Sequence, residues 1–306
     1  MRHVPLGFCV GAVLLLAGCN NFPVTRAGGV PPQVSQVPAE TPSKEQLIAY
    51  LNENAGRIQS VRCMELDLDA RQGLQSVGLR GMMACQKPRN FRMGAKVIGK
   101  DAVDMGSNDQ EFWYWISEAK PAYLFHCSYA DLSRGNVGMP FPFQPEWVME
   151  ALGIKECSSP ENYELKVTPT TLELVEQSRS PQGLPVRKVV VFNRAPAHGV
   201  QPQVTAHLLQ DAGGKEICAA YVSEVQIDRA TGAVLPHKVR LNWPSEKIEL
   251  KMKLDEVTFN DPSIVKGAER LFARPNLNNV PAYDLASRTI DGQIRRAGAF
   301  LRAGSQ

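Results

Sequence analysis

Residues 247–259 read KIELKMKLDEVTF, and this run decides the fold. Ile248, Leu250, Met252 and Leu254 fall at every second position, with Lys247, Glu249, Lys251 and Lys253 between them. Neighbouring side chains of a strand point to opposite faces, so the run is a strand with one apolar and one wet face. Strands of that kind belong to antiparallel sheets solvated on one side.

The same alternation lies next to it in KVRLNW, through Val239, Leu241 and Trp243, and more weakly in KEICAAYVSEVQI, through Ile217, Tyr221, Val225 and Ile227. Arg229-Ala230-Thr231-Gly232 and Ala212-Gly213-Gly214 are turns between such runs. Working outward, strands are predicted over 60–71, 76–87, 90–98, 111–117, 122–128, 163–178 (one strand or two), 185–194, 203–211, 215–228, 236–243 and 247–259. Helical patterns are few: 43–57, opened by a Ser43/Gln46 capping box, then 145–152 and a short 263–271. The class is mainly β (α+β), an antiparallel sheet of about 10–11 strands that must curl or split to bury its apolar face, with a few covering helices.

One strand departs from the alternation. In GSNDQEFWYWI, residues 106–116, four aromatics follow a polar turn, so Phe112, Tyr114 and Ile116 share one face while Trp113 and Trp115 share the other. Neither face is left for water, so both must be covered. Phe112, Tyr114 and Ile116 are expected to face inward, because Glu111 shares the Trp113 face.

The amino terminus is a secretory signal peptide. Arg2 and His3 precede an apolar run that ends in Leu16-Ala17-Gly18-Cys19. That ending resembles a bacterial lipobox, which implies diacylglyceryl attachment at Cys19, cleavage before it and acylation of the new amino terminus. Two acyl chains suffice for stable membrane anchoring. Asn20 and Asn21 lack the Asp associated with inner-membrane retention, so the expected address is the outer membrane, facing the periplasm. The predicted organisation is a lipoprotein signal peptide over 1–18, a lipidated terminus and tether over 19–42, one β-domain over 43–273 and a loosely ordered tail over 274–306. The formal charge is +3, of which the tail contributes a surplus of three and Arg2 one more, so the body is close to neutral and no basic field suggests nucleic acid.

No nucleophile elbow, P-loop or dinucleotide fingerprint occurs, and the scattered histidines, with His126-Cys127 the one adjacent His/Cys pair, do not make a zinc site. Neither catalysis, metal nor cofactor is expected. Glu65, Asp67 and Asp69 alternate on one strand and read as a solvated face. Five cysteines remain besides Cys9 and Cys19, in a compartment where disulfides persist. Cys63 and Cys85 lie equally far from position 74, so a hairpin turning at Gln72 to Gln75 predicts a bridge between them. Cys127 and Cys157 are a second candidate pair, and Cys218 is left over.

The order of elements resembles the LolA/LolB superfamily of lipoprotein carriers and receptors. Lys87-Pro88 followed by Phe91 and Met93, the Gly106-Ser107-Asn108-Asp109 turn before Phe112-Trp113-Tyr114, and Met139-Pro140-Phe141 leading into EWVMEAL carry it. Lys87 departs from the pattern, which has an arginine there that helps hold a lid. The resemblance implies an incomplete, strongly curved β-barrel over an apolar cavity that holds acyl chains. Its lining is then expected from Met64, Leu66, Leu68, Met82, Phe91, Met93, Phe112 and Tyr114, with Phe141, Phe143, Trp147 and Val148 lying over it. The function so implied is a membrane-anchored carrier or receptor for lipid or lipoproteins. The other reading is an envelope scaffold or sensor of the same fold that binds a protein partner.

Overall fold

Strand β13 (Ile248–Phe259) lies mid-sheet, antiparallel to β12 (Val234–Trp243) on one side and to β1 (Ser60–Gln72) on the other. In this computed structural model the described residues are 41–135, 137–138, 145–180, 183–194 and 203–291. From β1 the sheet runs one way through β2 (Gln75–Gln86), β3 (Asn90–Val97), β4 (Lys100–Ser107), β5 (Glu111–Ile116) and β6 (Leu124–Ser128). From β12 it runs the other way through β11 (Glu216–Ile227), β10 (Val204–Asp211), β9 (Pro185–Asn193), β8 (Thr171–Arg179) and β7 (Tyr163–Val167). Two short strands, β14 (Ala282–Asp284) and β15 (Thr289–Ile290), extend the edge beyond β6 and bring the sheet to 15 strands, with β15 and β7 as its two unjoined edges.

Every pairing is antiparallel except β14 with β6. Both halves send side chains into one core: Leu66, Met83, Phe91, Phe112 and Cys127 from one, Cys218, Leu235, Leu241 and Leu254 from the other. A flat sheet cannot bring residues so far apart in strand order together, so the sheet is strongly curved. Helix α3 (Pro145–Ala151) fills the concave side with Trp147, Val148 and Met149, and the Trp147 ring meets Trp243 edge-on at 6.3 Å between centroids.

Helix α1 (Lys44–Gly56) opens with the expected capping box: Ser43 Oγ accepts from Gln46 N, and Gln46 Oε1 accepts from Ser43 N. Its Leu47 and Ile48 are buried in a second cluster with Leu172, Leu174, Val190 and Phe192 of β8 and β9. Each such side chain contributes about 1.5–3 kcal/mol by leaving water. Its amides act as clips, since Asn52 accepts from Cys157 N and donates to Cys157 O, while Asn54 does the same to Val234.

On the convex side, helix α4 (Pro262–Leu271) buries Ile264 and Phe272 against Ala84. Arg92 Nη1 donates to Ala273 O at 2.8 Å, placing a cation beside the helix carboxyl end, where the dipole favours it. Helix α2 (Tyr129–Ser133), which sequence patterning did not reveal, is capped by Ser128. Strand β4 was also missed. Its outward Asp104 hides the alternation and is satisfied by Trp113 Nε1 at 3.0 Å and Arg92 Nη2 at 2.5 Å.

The carboxyl-terminal segment differs from the expected loose tail. Leu277 and Val280 cover Trp113, Trp115 and Leu124, which is how the second face of the aromatic strand is kept from water. Beyond them β14 pairs with β6, and Leu285 enters the main core. Arg274 forms ion pairs with Glu111 and Asp291, and His126 Nε2 lies 3.1 Å from Asp291, so polar contacts fasten the strap as well. The signal peptide, Cys19, the tether and 292–306 lie outside the described residues.

The predicted bridges are not formed, and all five cysteines here are free. The hairpin does turn at Gln72 to Gln75, but a bulge between Cys63 and Leu66 pairs Cys63 with Met83 and Cys85 with Val61. The two thiols are therefore diagonal neighbours rather than directly opposite. Burial pushes the Cys63 thiol up to about 12 and raises Cys85 as well. Cys127 lies in the main core and Cys157 packs against the second cluster, so that pair is not joined either.

Candidate functional site

Eight of the residues expected to line a cavity lie together in the main core: Leu66, Leu68, Phe91, Met93, Phe112, Tyr114, Trp147 and Val148. They pack against one another, and none of them lines either cleft described below. Met64 and Met82 are corrections. The bulge after Cys63 reverses the phase of β1, so Met64 is half exposed while Cys63 points inward. On β2 the inward positions are Leu79, Met83 and Cys85, which leaves Met82 on the opposite face. Phe141 and Phe143 lie outside the described residues.

Open space lies in the other half of the barrel. A cleft of about 290 Å³ is bordered by Tyr50, Leu51 and Asn54 of α1, by Ala151 to Gly153, and by strands β10 to β12. That is close to the lower bound of about 300 Å³ for small-ligand pockets. Val204, Val222, Val225, Ile227, Val234 and Pro236 make its sheet wall apolar, and Ile227 is 64% exposed.

A second cleft of about 210 Å³ adjoins it, sharing Leu51, Asn54, Gly153 and His207 as walls. This one is polar. Lys188 Nζ donates to Glu150 Oε2 at 2.7 Å, and Lys155 Nζ lies 3.7 Å from the same oxygen. Burial works against the Glu150 carboxylate, but Lys188 and Lys155 outweigh it and hold its pKa below the usual carboxylate value. Burial likewise opposes the Lys188 ammonium, and Glu150 overrides it, so the pair stays ionised. Glu156 accepts from Lys87 Nζ at 3.0 Å, and Glu176 accepts from Ser158 Oγ at 2.9 Å.

Lys87 also donates to Ala55 O at 2.8 Å, at the carboxyl end of α1. The lysine thus joins α1 to the segment after α3 through two single contacts, where an arginine would offer a planar fork. His207 stands at the junction of the two clefts with only 7% of its surface exposed. Burial depresses its pKa to about 4, with Glu150 opposing and Lys188 assisting, so the imidazole is neutral at ordinary pH.

Sequence reasoning missed this site because its walls come from α1, the α3 end and β10 to β12, with no motif in common. One signal was available: the imidazole in VTAHLLQ, inside an otherwise apolar strand. Among the described residues no group of three or more His, Cys, Asp and Glu side chains is placed to hold a metal.

Fold and clefts together define an unclosed half-barrel with open space on the side where α1 crosses it. Among solved structures the chain is similar to a LolA superfamily protein from Nitrosomonas europaea, at 11% identity and a TM-score of 0.42, over 74% of this chain and 97% of that one. It is also similar to a domain from Vibrio parahaemolyticus described as outer membrane lipoprotein-sorting, at 10% identity and a TM-score of 0.44, over 71% and 94% of the two chains. A DUF1329 family protein from Desulfovibrio piger gives 10% identity and a TM-score of 0.42, over 70% and 93%. No family model matches the chain, and no curated protein does.

Proposed function

We propose that this protein is a lipid-anchored carrier or receptor of the bacterial envelope that holds acyl chains of lipid or lipoproteins in the apolar cleft beside α1. The observation that carries the reading is that cleft of about 290 Å³, walled by aliphatic side chains and open beside α1. Acyl chains would be held there by apolar burial, about 0.8 kcal/mol per CH₂, which is non-directional and tolerant of chain type. The Leu16-Ala17-Gly18-Cys19 ending supports attachment to a membrane, and the Asn20-Asn21 pair supports the outer membrane, with residues 22–42 as the tether.

Leu51 borders both clefts, so Leu51→Glu is the informative variant. It sets a charge against the bound chain, costing several kcal/mol or shifting its own pKa. Lipid co-purifying per protein, compared between parent and a Leu51→Glu chain shown to be folded by circular dichroism, should fall several-fold. Equal lipid in both, or none in the parent after mild extraction, overturns the reading. A second reading, an envelope scaffold or sensor that binds a protein partner, draws on the burial of Leu66, Phe91 and Phe112 in the main core and would be what survives.

A further inference from the structure

The two clefts meet at a single buried imidazole, and the polar one is electrically balanced. The carboxylates of Glu150, Glu156 and Glu176 face or adjoin the ammonium groups of Lys188, Lys155 and Lys87. An anionic head entering here would have to draw Lys188 away from Glu150, leaving a buried carboxylate uncompensated, which is strongly unfavourable. A cationic head would meet Lys188 and Lys155, although Glu176 on the same wall is held only by Ser158 Oγ. Both lysines of the wall are already engaged by Glu150, so an anionic head finds no cation waiting.

His207 has what the charged groups lack. Its neutral ring offers one N–H donor and one acceptor nitrogen. Among the described residues the ring has no hydrogen-bond partner, although more than nine-tenths of the residue is buried and it borders both clefts. Its nitrogens are not among the buried polar atoms left without a partner, so they open onto the clefts, where water or the head of a ligand supplies the hydrogen bonds.

We propose that His207 reads the head of a bound amphiphile: the acyl chain lies in the apolar cleft, an uncharged ester, amide or hydroxyl head hydrogen-bonds the imidazole, and phosphate and carboxylate heads are refused. The proposal rests on the acyl-binding reading above and narrows it to neutral-headed ligands, such as acylglycerols or the amide-linked, glyceryl-bearing terminus of a lipopeptide. Val225 and Ile227 at the apolar rim give the chain its way in.

The test uses the full-length chain carrying Cys19→Ser, so that no detergent is needed, with the uncharged reporter N-phenyl-1-naphthylamine. A monoacylglycerol, the free fatty acid and a lysophosphatidylglycerol of equal chain length compete against it below their micellar concentrations. The monoacylglycerol should displace the reporter at a concentration at least about tenfold lower than either anion, a difference one or two hydrogen bonds supply. His207→Leu should remove about tenfold of that advantage, with each amphiphile's displacement referred to the reporter affinity measured in the same variant. His207→Gln, which keeps a donor and an acceptor, should retain most of it. Equal potency of the three amphiphiles, preference for an anion, or an unchanged His207→Leu overturns the headgroup assignment and leaves acyl binding standing. If neither the reporter nor any amphiphile binds the parent, the acyl-binding reading falls with it.

Discussion

Asn54 grips Val234 with two hydrogen bonds: its Nδ2 donates to Val234 O at 2.9 Å, and Val234 N donates to its Oδ1 at 2.7 Å. This clip fixes α1 across the first residue of β12, and both residues border the apolar cleft. Asn54→Ala leaves a backbone donor and acceptor without their partner, which should destabilise the fold by about 1–3 kcal/mol. Urea unfolding measures it. Asn54→Asp, which keeps only the acceptor, should fall between, and a loss within error for Asn54→Ala would mean that α1 is not held by this clip.

Acid should weaken the fold through His207. The imidazole titrates at about 4 when buried, against about 6.5 in an unfolded chain. Below about 6.5 the unfolded chain therefore binds a proton that the folded chain refuses, so stability falls as pH drops toward 4, by roughly 3 kcal/mol for the full shift. Unfolding free energies measured from pH 7 to 4.5 should fall less steeply in His207→Gln than in the parent. Parallel curves would place the imidazole in water.

Gly106 is required by Trp113. A Cβ there would lie 2.3 Å from Trp113 Cζ2 and 2.8 Å from Phe91 O, and the tryptophan is wholly buried between β5 and the carboxyl-terminal strap. Gly106→Ala should cost about 1–3 kcal/mol through overpacking. A shifted tryptophan emission maximum should accompany the loss, because the indole has to move. Unchanged stability and emission would count against this packing.

Leu285 separates a packed strap from a loose tail. It is 2% exposed and belongs to the main core, far along the chain from the other members of that core. Leu285→Ala should therefore cost about 2–5 kcal/mol, as for other buried leucines. A tail that merely trails in solvent would give less than about 0.5 kcal/mol by the same denaturation measurement.

The anchor is tested by fractionation. Replacing Cys19 with Ser should move the protein from the membrane to the soluble periplasmic fraction and lower its mass by the acyl groups. Parent and variant both on the membrane with the same mass would show that attachment is elsewhere.

Much of this architecture was legible residue by residue. The period-two runs in β12 and β13, the Ser43/Gln46 box and the two apolar faces of Phe112 to Trp115 are local patterns, and local patterns are what backbone geometry reads directly. They determine that a large antiparallel sheet forms, where its strands run, and that something must cover Trp113 and Trp115. Tertiary structure alone decided what that covering was. Leu277 and Val280 have no sustained periodicity around them, so their burial follows from the Trp113 face being available rather than from their own sequence.

Register and emptiness were also beyond the sequence. One bulge after Cys63 turned Met64 outward and moved Cys85 opposite Val61, because with a side-chain period of two a single extra residue reverses every face beyond it. Leu66, Leu68, Phe91, Met93, Phe112 and Tyr114 of the expected lining joined the main core, while a cleft formed where α1 crosses β10 to β12. A sequence specifies which side chains avoid water. Whether they meet one another or leave a cleft depends on how the two halves of the sheet and the helices between them fit, which is a property of contacts between residues far apart in the chain.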